Sequence, residues 1–110
     1  MLTVLALSFV LMAGAAATMD TYLEKAIERG VPLFNQGMPE ACAAVYATAL
    51  EGVASGGGWG LDAVQVTNLE YQLVLAGSIQ DPGEQAWAYR RIIDTLLAGE
   101  ALGAPPTGDS

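Results

Sequence analysis

Histidine is absent from the 110-residue chain, cysteine occurs once, and basic residues are scarce, with four Lys and Arg against twelve Asp and Glu and a formal net charge of -8. Each shortage removes a class of function. Without imidazole, Ser–His and Cys–His relays cannot be assembled, and metals lose their commonest nitrogen ligand. Cys42, the only thiol, rules out an intramolecular disulfide, so an exported chain must be held by packing alone or Cys42 must pair with another chain. Its setting in ACAAVY reads as a small apolar residue on the buried side of a helix. An acidic surface repels phosphate backbones and anionic lipid heads, which sets nucleic acid aside as a partner.

The carboxylates are equally unpromising as chemistry. Neither DTYLE nor QDPGE spaces several oxygens closely enough for calcium, and a lone thiolate with scattered acids makes no structural zinc site. None of the acids stands in an apolar stretch that would raise its pKa for glycoside hydrolysis. The glycines of GGGWG are not followed by the Lys-Ser/Thr pair of a phosphate cradle. No catalytic residue, metal ligand set or cofactor is expected.

What is abundant is apolar: 53% of the residues are hydrophobic, with Ala, Leu and Val dominant, the mark of a folding chain. The first 19 residues, MLTVLALSFVLMAGAAATM, carry no charge. Leu2 to Met12 has the length of a signal-peptide hydrophobic region, and Ala13-Gly14-Ala15 and Ala15-Ala16-Ala17 both suit cleavage. As a helix the same stretch would rise roughly 28 Å at about 1.5 Å per residue, close to the hydrocarbon thickness of a bilayer. Residues 1–19 therefore read as a signal peptide or a retained membrane anchor, 20–99 as a helical domain, and 100–110 as a flexible tail. Either reading of the leader has the acidic domain face a non-cytoplasmic compartment, periplasmic or thylakoid-lumenal, or lie beside a membrane, with residues 1–19 as the expected point of membrane contact.

Four helices are expected in the domain. Thr21 and Glu24 have capping-box spacing ahead of a stripe of Leu23, Ala26, Ile27 and Phe34. Gly30 and Pro32 interrupt that stripe, and a kink at Pro32 is expected because Leu33 and Phe34 still need burial. Gly37 ends the helix where a left-handed residue belongs, and Pro39 opens the next at a position where a missing N–H costs nothing. The second helix would turn Cys42, Val45, Tyr46, Ala49 and Leu50 inward. SGGGWG is a flexible connector from which Trp59 folds back over apolar surface. A third helix from about Leu61 buries Val66, Leu69, Leu73 and Ala76, with Asp62 near its start. After QDPGE a fourth buries Ala86, Tyr89, Ile93 and Leu96, with Arg90 and Asp94 paired one turn apart. The expected fold is all-α: two antiparallel helical hairpins forming a small four-helix bundle, preceded by an apolar N-terminal helix.

Within residues 26–51, Gly30, Leu33, Phe34, Gly37, Cys42, Val45, Tyr46, Ala49 and Leu50 resemble the register of a tetratricopeptide unit, a 34-residue helix-turn-helix repeat. Ala26, Pro32 and Ala54 depart from it, and the second half of the chain does not continue the array. The segments ERGVPLFNQGMPEACAAVY and EQAWAYRRIIDTLL also look similar to a small helical domain that follows export or lumen-targeting segments. The first resemblance implies a recognition face on the first helix, presenting Glu24, Ile27, Val31, Phe34 and Asn35; the second implies no catalytic residues.

Candidate partner-binding residues are accordingly Phe34, Asn35, Trp87, Arg90 and Arg91. Asn35 either orients a partner backbone or caps the turn it precedes. Trp87 beside two arginines offers a docking spot for an anionic group, or else Trp87 is core and the arginines pair with Asp94 and Glu84. The expected function is a non-enzymatic protein-interaction module, an accessory or linker subunit of an integral membrane complex. The alternative is an exported carrier of a small apolar ligand or pigment. The intact mass of protein from its native source separates the two leader readings: a chain starting near Thr18 marks removal, and one starting at Met1 marks a retained anchor.

Overall fold

The computed structural model describes residues 18–107, so the expected N-terminal apolar helix lies outside the described residues. Within them the chain is entirely helical, with α1 at Met19–Asn35, α2 at Pro39–Gly56, α3 at Ala63–Gly77 and α4 at Pro82–Leu97, and no strand among the described residues.

The starts of the helices follow local chemistry. Thr18, in an extended conformation, caps α1 by accepting from the Thr21 amide at 3.3 Å. The expected cap at Thr21 is thus three positions too late. Thr21 is already helical, because Met19 packs against the core and Asp20 sits favourably in the first turn. Pro39 occupies the first turn of α2. Asp62 caps α3 with a reciprocal box: its carboxylate accepts from the Gln65 amide and the Gln65 side chain accepts from the Asp62 amide, both at 2.8 Å. That box moves the start of α3 from the expected Leu61 to Ala63. Asp81 caps α4 by accepting from the Glu84 amide at 2.9 Å, with Pro82 following.

The two interruptions in α1 turn out to differ. The helix runs on through Pro32 to Asn35, and only then does Gly37 turn the chain with φ of 79°. The turn is closed by backbone alone, the Gly37 amide donating to Phe34 at 3.0 Å and the Met38 amide to Leu33 at 2.9 Å. Gly30 is not a breaker. It is buried within α1, and a Cβ there would meet the ring of Tyr46, lying 2.8 Å from Cζ and 3.0 Å from the hydroxyl. The missing side chain lets α2 bring an aromatic ring against the α1 backbone.

α2 makes its most extensive contacts with α1 and α4, while α3 meets α2 and α4 more lightly. The core reflects this. Leu23 of α1, Cys42, Leu50 and Val53 of α2, Leu69 of α3 and Ile93 of α4 are its largest fully buried side chains. Val45 is only half-buried, its place on α2 being taken by Ala43. Apart from the phenols of Tyr46 and Tyr89, no polar or charged side chain is buried among the described residues, and no buried side-chain nitrogen or oxygen there lacks a partner. Trp59 folds back from the connector and stacks on Tyr22 with ring centroids 4.9 Å apart. Beyond α4, Leu102 packs on the core and Gly103 accepts from the Gln72 side chain at 3.0 Å, so apolar contacts continue past the last helix.

Gly30→Ala should destabilise the protein by roughly 1–3 kcal/mol in chemical denaturation, because overpacking against Tyr46 outweighs the gain of about 1 kcal/mol in helix propensity. Gly52→Ala is the control. Its Cβ would meet only the tip of the exposed Tyr22 side chain, 2.8 Å away, which can move aside.

Candidate functional site

Where the end of α1 meets the first halves of α2 and α4, a shallow recess of about 80 Å³ opens, lined by Val31, Phe34, Asn35, Cys42, Tyr46, Ala86, Trp87 and Arg90. Its floor follows from helix spacing. Cys42 and Tyr46 stand one turn apart on α2, as do Ala86 and Arg90 on α4, so each pair shares a face. Ala86 is small and buried, which lets α4 approach while leaving a hollow beside it.

Phe34 and Trp87 form the wall, meeting edge to face with centroids 5.9 Å apart. Trp87 is not core: 52% of it remains exposed, the largest exposed aromatic surface among the described residues. Arg90 is the recess's only charged side chain. Its Nε donates to Asp94 at 3.0 Å, the one ion pair among the described residues, and the alternative pairing with Glu84 does not form. Asn35 is exposed and its side chain makes no hydrogen bond within the described chain, since the backbone closes the turn it was expected to cap.

Four of the five expected recognition residues, Phe34, Asn35, Trp87 and Arg90, therefore line one recess. Arg91 does not join them. Consecutive helix positions lie about 100° apart, and Arg91 lines a different depression with Gln72, Leu75, Ile92, Thr95 and Leu102. The arginines do not act as a cluster. Tyr46, Cys42 and Ala86 carry no signal in the sequence that separates a recess floor from ordinary core, because that distinction depends on how α4 crosses α2.

Electrostatics under the recess are modest. Burial pushes the Tyr46 hydroxyl up from its ordinary 10.0, the neighbouring Cys42 thiol pushes it further, and Arg90 offsets part of the rise. Burial likewise raises Tyr89, helped by Glu51. For Arg90 burial works against the charge, but Asp94 and Tyr46 outweigh it and its pKa is raised. None of these groups is poised to exchange protons near neutral pH. Among the described residues no three His, Cys, Asp or Glu side chains group so as to hold a metal, and no helix is long and apolar enough to cross a membrane.

No family model, curated protein or solved structure matches the chain.

The raised tyrosines set an alkaline limit. A phenol with a higher pKa folded than unfolded contributes stability fully present below the unfolded value of 10.0 and lost as pH rises through the folded value. Urea midpoints should hold steady to about pH 9.5 and then fall, and Tyr46→Phe with Tyr89→Phe should flatten that fall. An unchanged alkaline slope in the double variant would contradict the assignment.

Proposed function

We propose that the protein is a non-enzymatic protein-interaction module whose recognition surface is the aromatic recess. In this reading the helices form a small four-helix bundle of two hairpins, the first in a tetratricopeptide-like register that presents Val31, Phe34 and Asn35 to a partner. The observation that carries it is Trp87: a half-exposed tryptophan, held edge-on by Phe34 beside an arginine, is the kind of residue on which binding energy concentrates. The apolar leader at 1–19 supports a place on the non-cytoplasmic side, periplasmic or thylakoid-lumenal, as an accessory or linker subunit of a membrane complex. In this recess a pigment or other apolar ligand is the weaker occupant, because about 80 Å³ falls well below the roughly 300–1,000 Å³ of small-molecule pockets.

Affinity capture of the tagged full chain from its own cells, quantified against Trp87→Ala, tests the reading. Truncating a central aromatic anchor should cost about 2 kcal/mol or more of binding, some 30-fold, while stability changes by about 1 kcal/mol or less. Equal retention of every partner by wild type and variant would refute it, as would a chromophore or lipid recovered in stoichiometric amount without protein partners.

A further inference from the structure

A second surface lies away from the recess, on the outer side of the α1–α2 contact. There Tyr22, Lys25, Ala26 and Arg29 of α1 face Ala44, Val45, Thr48 and Ala49 of α2 across an open groove of about 510 Å³. Two of the four basic residues in a chain with twelve acids line this groove, and no acid among the described residues lines it. Lys25 and Arg29 stand one turn apart, so both side chains leave the same face of α1. Neither is engaged in an ion pair, the only one among the described residues being that of Arg90 with Asp94. Glu24 and Glu28 alternate with them along α1 but do not line the groove. The floor is small and almost wholly apolar, Thr48 being its one hydroxyl. Tyr22, backed by the stacked Trp59, supplies an aromatic side.

We infer that this groove docks an acidic helix of a partner protein, its small-residue face on Ala44, Val45 and Thr48 and carboxylates one turn apart opposite Lys25 and Arg29. Charge complementarity at this groove selects an anionic occupant, because the two cations are its only charges among the described residues, although the net charge of -8 opposes the approach of anions elsewhere on the surface. The floor selects a helix over an extended peptide. A strand laid on alanine and valine loses water from its backbone amides and carbonyls and gains no partners, whereas a helix arrives with those groups already bonded to one another. Small side chains on the floor let two helix axes approach to the close end of the usual 8–10 Å. The spacing of Lys25 and Arg29 matches that of Glu residues at i and i+4 on the incoming helix.

The test uses the full chain, isotope-labelled, and an alanine-rich helical peptide of about 18 residues bearing Glu pairs at i and i+4 on one face. A matched peptide with Gln at those positions is the comparison. The Glu peptide should bind saturably, shift the amides of Lys25, Arg29, Ala44, Val45 and Thr48, and weaken as salt rises. Reversing both charges in Lys25→Glu with Arg29→Glu should weaken it at least about five-fold, as expected for two exposed ion pairs. Thr48→Trp, which fills the floor without touching charge, should abolish binding while leaving the helical circular dichroism unchanged. Three results would overturn the inference: equal binding of the Gln peptide, shifts confined to other residues, or no binding of the Glu peptide at millimolar concentration. Preferential binding of the same face to phosphatidylglycerol vesicles would overturn it too, by identifying a lipid surface as the occupant.

Discussion

The contact of the Tyr46 ring with the bare backbone at Gly30 is the constraint on which the rest of this structure depends. It sets how closely α1 and α2 can lie, because any larger residue at position 30 would hold the ring away. Once seated, Tyr46 is nearly fully buried, with its hydroxyl directed to the region where Cys42 and Arg90 gather. The ring thereby becomes both a wedge between helices and part of the recess floor. Phe34, one turn beyond Gly30 on α1, is carried to the edge of that floor, where it meets Trp87 from α4.

Around this contact the division of labour between core and surface is unusually clean. Among the described residues the interior contains only apolar side chains and tyrosines, so it carries little of the desolvation cost that buried charges impose. Among the described residues the surface holds the charge, most of it negative, and the one ion pair contributes little to stability at that exposure. With no disulfide available, cohesion comes from helix packing and from capped helix ends.

The helix ends were mostly legible because they depend on neighbours in the chain. Pro39 and Pro82 in first turns, Asp62 near a helix start and Gly37 at a left-handed turn each act within a few residues, whatever the rest of the fold does. Thr21 was misread for a reason that is also local: a threonine three residues upstream offers the same cap to a longer helix, and packing of Met19 decides between them. Gly30 was misread for a different reason. In sequence a glycine near a proline looks like punctuation, and only the position of a ring from another helix reveals it as a packing surface.

By itself, then, the sequence determined the helical periodicity, the turns, the acidic composition and the absence of histidine, since these follow from composition and from interactions spanning a turn or two. It also marked Phe34, Asn35, Trp87 and Arg90 as unusual residues for their positions. Tertiary structure alone decided that those four share one recess while Arg91 faces elsewhere, and that Lys25 and Arg29 overlook a floor of alanines contributed by a different helix. The physical reason is that a binding surface is made of residues distant in the chain, and their meeting depends on how helices cross. At Gly30 the missing volume seats the Tyr46 ring from another helix, which no pattern within a single helix encodes.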